Sequence, residues 1–155
     1  METTTKKMTK TEFNKNVLGI LRSNAKGIFP YVRTSADVFR YARWCEHNFE
    51  VNINDNTGKE RKYTFFSDIS IGECYGISGV VNTIHRCFKE WIYNKEAIAE
   101  LLISINYKAW EMQARHFPAW TEFYSNVYNA LYSLVMDYYE EHNHEAADYV
   151  ANYLD

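Results

Sequence analysis

The segment NKEAIAELLISINYKAWEM, Asn94–Met112, decides how the rest of the chain is read. Ile98, Leu101, Leu102, Ile105, Ala109 and Met112 recur at intervals of three and four residues, which place side chains on one face of an α-helix. Asn94 stands where an N-cap is needed, and Glu96 and Glu100 lie near the start. Ile103, Tyr107 and Trp110 form a second apolar stripe on another face. A helix apolar on two sides is either central in the fold or offers a face to a partner.

The same period extends in both directions. Upstream, Ile77, Val80, Val81, Ile84, Phe88 and Trp91 form an amphipathic stripe, with Ser78, Asn82, Arg86 and Lys89 opposite. Downstream, Pro118 suits a first helical turn. Trp120, Tyr124, Val127, Leu131, Leu134 and Tyr138 follow along one side, broadened by Tyr128, Val135 and Tyr139. Asn143 breaks that helix, and Ala147, Val150 and Leu154 mark a terminal one. Near the start, Phe13, Val17, Ile20 and Leu21 predict a helix from Thr11, capped by Thr9 or Thr11 and ended by Gly27 and Pro30. Val38, Tyr41, Ala42 and Cys45 predict another, and Ser70 with Glu73 has capping-box spacing for a short helix that Gly76 stops.

One stretch alternates instead. Phe49, Val51 and Ile53 interleave with Asn48, Glu50 and Asn52, Asp55–Gly58 is turn chemistry, and Lys62–Phe66 resumes with β-favouring residues. The expectation is an antiparallel β-hairpin near 48–66, with strands near 48–54 and 60–66, packed on helices because an isolated hairpin is marginal. The fold class expected is therefore mainly α (α+β): a compact helical domain of about five to six helices with one hairpin. Residues 1–10, polar and basic, read as a disordered leader, and residues 11–155 as a single domain. Val81, Ile84, Phe88, Leu101, Leu102, Ile105, Val127, Leu131 and Leu134 are the expected core.

The 155 residues suit one domain, and the balance of 46% hydrophobic and 24% charged residues is globular. Six glycines and two prolines argue against a sandwich or barrel, and no glycine-rich phosphate loop occurs. No apolar run is long enough to span a membrane, and the N-terminus lacks the apolar core of a signal peptide. Three widely spaced cysteines, Cys45, Cys74 and Cys87, fit a reducing compartment, so the expected location is cytoplasmic.

Charge is uneven. Residues 1–62 hold 12 Lys/Arg against 7 Asp/Glu, a net of +5, and residues 63–155 hold 5 against 13, a net of −8. After Arg115 there is no Lys or Arg and there are seven acids. Either the two halves attract and the surface is simply solvated, or the acidic part faces a basic partner.

Tyr63–Ile71 (YTFFSDISI) with Tyr75-Gly76, together with Phe88–Trp91 (FKEW) and Asn106–Trp110 (NYKAW), resembles small, largely uncharacterised accessory proteins of gut-bacterial mobile elements and phages. The resemblance covers residues 45–155. It implies a setting, regulation or the countering of host defence, and brings no activity and no catalytic residues.

Four chemistries bear on these residues. A helix-turn-helix over Ile69–Trp91 would present Asn82, His85, Arg86 and Lys89 to DNA, but Asn82 and His85 fall where that motif buries aliphatics. Cys45-Glu46-His47 and His85-Arg86-Cys87 carry zinc-type ligands at a spacing that points them apart on a helix, and His142 and His144 with Glu141, Glu145 and Asp148 read as solvated surface, so neither metal nor cofactor is expected. No nucleophile–base pattern stands out, so no catalytic residue is named. The favoured reading is a non-enzymatic protein that binds another macromolecule, a protein partner, through Tyr128, Tyr138, Tyr139, Glu140, Glu141, Tyr149 and Tyr153, with homodimerisation through the aromatic stripe. The alternatives are the DNA-binding regulator and a DNA-mimicking inhibitor of a host nuclease.

Overall fold

A computed structural model describes residues 7–28, 51–54, 60–63, 69, 73 and 76–155. Within them the chain is mainly helical. The helices are α1 (Lys10–Asn24), followed by a 3-10 turn at Ala25–Gly27, α2 (Ile77–Trp91), α3 (Lys95–Ala114), α4 (Pro118–His142) and α5 (His144–Leu154). Two short strands, β1 (Val51–Asn54) and β2 (Glu60–Tyr63), pair antiparallel with Val51 opposite Tyr63. The turn and flanks of the hairpin expected near 48–66 lie outside the described residues, as does the helix expected around Val38–Cys45. Only Ile69 and Glu73 represent the short helix expected before Gly76.

Three of the five described α-helices begin at a side-chain cap, and α4 begins instead with Pro118 in its first turn. Thr9 and Glu12 form a reciprocal capping box on α1, so that helix starts one residue before Thr11. Asn94, itself buried, accepts from the Ala97 amide at 3.0 Å, and Asn143 accepts from Ala146 at 3.2 Å. Gly76 adopts φ 91°, a conformation open to glycine, and its carbonyl accepts from the Gly79 and Val80 amides in the first turn of α2. The α3–α4 corner is a Schellman motif. The Phe117 amide reaches back to the Met112 carbonyl and the His116 amide to Gln113, with His116 left-handed at φ 62° where glycine is usual.

α4 is the central helix, packing on α3, α1 and α5, while α2 packs on α1 and α3, and β1 lies beside α3. The ring of Phe13, near the start of α1, lies 5.0 Å from Tyr138 near the end of α4 and 6.5 Å from Phe88 near the end of α2. These pairings make α1 antiparallel to both. One end of the bundle therefore gathers the starts of α1, α3 and α5 and the ends of α2 and α4.

All nine residues expected in the core are buried. The leader expected over residues 1–10 differs at its described end. The Met8 amide donates to Glu141 Oε2 at 2.8 Å, and His142 Nε2 lies 2.5 Å from the Met8 carbonyl, which makes that nitrogen the donor. Two side chains at the end of α4 thus dock residues next to α1, a tertiary contact that local composition does not signal.

Leu102 is fully enclosed between α3 and its neighbours. Leu102→Ala is expected to cost about 2–5 kcal/mol in denaturant unfolding, with an unchanged m-value, as for other buried leucine truncations.

Candidate functional site

Two places concentrate polar chemistry: a cluster inside the bundle and a face outside it. The inner cluster centres on Lys108. Counting from Leu101, it falls seven residues along the apolar stripe of α3, so the helix carries its side chain inward, and its exposure is 0%. The ammonium pairs with Glu73, just before α2, and with Glu111 Oε2 at 2.5 Å on its own helix. Tyr124 of α4 donates its hydroxyl to Glu73 Oε1 at 2.9 Å, and its ring centroid lies 6.0 Å from the ammonium. Burial pushes the Glu73 carboxyl above its usual pKa. Lys108, by charge and hydrogen bond, and the Tyr124 hydroxyl act in the other direction, and Glu111 adds to the rise. Lys108 is closed to solvent, and the cluster ties α3, α4 and the residue before α2 together. The sequence signal for it was a lysine at a stripe position, which the periodicity alone passes over.

The outer face runs along α3 and α5. Glu96, Glu100, Ile103, Tyr107 and Trp110 form one stripe pointing away from the core. Trp110 is 69% exposed, the most of any large hydrophobic residue described. Glu100 is half-buried, and burial raises its carboxyl above the usual pKa. No lysine or arginine lies within ion-pair distance of it among the described residues. On α5, Tyr149 and Tyr153 stack with centroids 5.7 Å apart. Burial, then Glu96 and Glu100, push the Tyr149 hydroxyl up, which places that ring beside the α3 stripe. Lys95 at the edge is already engaged, 3.6 Å from Glu145 and 5.6 Å from the Tyr149 ring centroid.

The residues expected to bind a partner are therefore divided. Tyr138 and Tyr139, 4% and 3% exposed, belong to the core and are corrected to that role. Tyr139 donates to the Ile92 carbonyl at 2.7 Å, and burial, then Tyr138 and Glu96, raise its hydroxyl pKa. They fall inward because α4 is covered on several sides and buries a wide arc. Tyr128 is half-buried and stacked on Tyr132 at 6.3 Å. Glu140 is exposed, and Glu141 is half-buried and holds Met8. Tyr149 and Tyr153 are brought together, with Glu96 and Glu100 of α3 near Tyr149 and Trp110 exposed farther along the same α3 stripe.

Among the residues weighed for DNA, Asn82, Arg86 and Lys89 are exposed on one side of α2 and His85 is half-buried. Among the described residues no three His, Cys, Asp or Glu side chains come together as a metal site. No described helix is long and apolar enough to cross a membrane. A cleft of about 480 Å³ opens at the end of the bundle between Lys10, Tyr93, Lys95, Tyr138 and His142. The Lys10 ammonium covers the Tyr93 ring there at 4.9 Å. No family model matches the chain, and neither a curated protein nor a solved structure is significantly similar to it.

Removing the cation from the inner cluster leaves the buried Glu73 carboxyl without its ammonium. Lys108→Met is expected to cost about 3–5 kcal/mol by denaturant unfolding. The Glu73 shift adds a pH signature. Its folded pKa lies above its unfolded value, so the folded state holds the proton longer and this contribution is lost as pH rises through the folded pKa. Relative to Glu73→Gln, the unaltered protein is expected to lose stability on going upward from pH 4.5. A difference independent of pH would contradict the assignment.

Proposed function

We propose that this chain is a non-enzymatic binding protein whose outer α3–α5 face receives a partner protein presenting lysine or arginine among apolar side chains. The observation that carries the reading is that one stripe of α3 holds the exposed Trp110 and, about 15 Å along the helix, the half-buried Glu100, which has no cation within ion-pair distance among the described residues. Water gains nothing from an indole ring kept on the surface, and tryptophan and tyrosine are the residues that dominate binding energy at protein interfaces. A carboxylate already partly desolvated loses less on docking, and an incoming cation would neutralise it. The lack of any Lys or Arg after Arg115 keeps α5 free of charges that would repel a basic partner.

The setting implied by the resemblance, an accessory protein of a mobile element or phage with a regulatory or anti-defence role in the cytoplasm, belongs to this proposal. So does the complete hairpin near 48–66 as part of the domain. Homodimerisation through the half-buried Tyr128–Tyr132 stripe is a separate feature of the same reading.

Affinity capture from native host lysate, run in parallel with the unaltered chain, Trp110→Ala and Glu100→Lys, tests the face. The expected result is one or more proteins retained by the unaltered chain and lost, at least tenfold, with both variants, whose own unfolding curves stay near the unaltered one. Equal retention by all three would move the interface elsewhere and overturn the assignment. Light scattering on the purified protein, with and without Tyr128→Lys, reads the homodimer separately.

A further inference from the structure

The opposite side of the bundle carries the opposite charge. Lys15, Gly19, Arg22 and Lys26 are all exposed, at offsets of four, seven and eleven residues, which returns each to the same line along α1 and its terminal turn. Beside it on α2, Asn82, Arg86 and Lys89 form a second exposed line. The two lines meet at His85. Its imidazole bonds the Asn14 backbone, and burial first, then the charges of Lys89 and Arg22, hold it below its usual pKa. Cations from two helices therefore surround one point.

None of Lys15, Arg22, Lys26 and Lys89 has a carboxylate within 4 Å among the described residues. The two exposed acids on these helices, Glu12 in the first turn of α1 and Glu90 in the last turn of α2, sit at one end of the array. Unpaired like charges in a row repel one another and raise the energy of the free protein, and a polyanion relieves that. Gly19 is a second, independent sign. A glycine inside an exposed helical turn weakens the helix, and a Cβ there would meet nothing within 4 Å among the described residues, so packing against them does not require it. What it does permit is close approach of an external chain to the α1 backbone, in the middle of the cationic line.

We infer that the α1–α2 face binds the phosphate backbone of duplex nucleic acid without reading its sequence. The line from Lys15 to Lys26 is about 16 Å long, several phosphates of one strand at about 3.4 Å of rise each. Three cations spread along one line, Lys15, Arg22 and Lys26, suit an extended polyanion better than an isolated anion. Asn82 and His85 supply neutral hydrogen-bonding groups on the same face, of the kind that position a protein on phosphate and sugar. The face lies on different helices from the α3–α5 stripe, so this inference stands apart from the protein-binding reading.

The test is fluorescence anisotropy with a labelled mixed-sequence 20-base-pair DNA duplex across a potassium chloride series. Four neutralised phosphates predict a slope of log K against log salt of about −3.6, hence a loss on the order of 100-fold between 50 and 200 mM. Affinity is expected in the ~10⁻⁶–10⁻⁴ M range of sequence-independent binding and unchanged when the duplex sequence is scrambled. Arg22→Gln and Lys89→Gln should each reduce the slope by about 0.9, and the two with Lys15→Gln and Lys26→Gln should abolish binding. These positions are exposed, so circular dichroism should show the helical content unchanged. Gly19→Gln separates binding from stability: it should raise the thermal midpoint while weakening binding by tenfold or more. Absence of binding at 50 mM salt, a slope indifferent to the four substitutions, or displacement of the duplex by polyglutamate at equal charge concentration would each overturn the inference.

Discussion

A lysine ammonium carried out of water must meet opposite charge where it lies, and that requirement joins three distant parts of this chain. Lys108 sits on the buried stripe of α3, so the helix itself drives it inward. Glu73 comes from the segment before α2, and Tyr124 from the second turn of α4. The Coulombic attraction is strong only because the surroundings exclude water, and the same exclusion makes any missing partner costly. The cluster therefore acts on arrangement more than on total stability. Sliding α3 along α4 by one residue would leave the ammonium facing apolar side chains.

Around that constraint, α4 acts as the spine. It buries an arc wide enough to take contacts from α1, α3 and α5, which is why Tyr138 and Tyr139 are core residues despite belonging to a tyrosine-rich, acidic end. The corner before it is closed by backbone bonds from His116 and Phe117, with the Thr121 hydroxyl donating to the Phe117 carbonyl. His116 accepts a left-handed conformation that costs about 1 kcal/mol or more, because the Met112 and Gln113 carbonyls would otherwise lack partners.

The uneven charge along the chain becomes two different faces in space. The acids and rings of α3 and α5 lie on one, and the cations of α1 and α2 on another. Among the described residues, Lys15, Arg22, Lys26 and Lys89 have no carboxylate within ion-pair distance, so these cations are not cancelled by pairing with the acids of α3 and α5. A surface whose opposite charges stay apart carries a directional field, and that field orients charged partners before contact.

Helix content and core were legible in the sequence because both depend on a local period. Ile98, Leu101, Leu102 and Ile105 announce their shared face whatever the rest of the chain does, and Asn94 and Asn143 mark helix starts through bonds spanning three residues. Capping chemistry also located α1, to within one residue. Everything decided between helices was not legible. Periodicity says that a helix has an apolar face and does not say how many neighbours will cover it, so Tyr138 and Tyr139 read as surface while a broader arc of α4 was being buried. The partnership of Lys108 with Glu73 spans 35 positions and depends on how α3 meets the start of α2, and the docking of Met8 on Glu141 spans 133. Local spacing determines which side chains share a face; only the packing of one helix on another determines which of those faces remains in water.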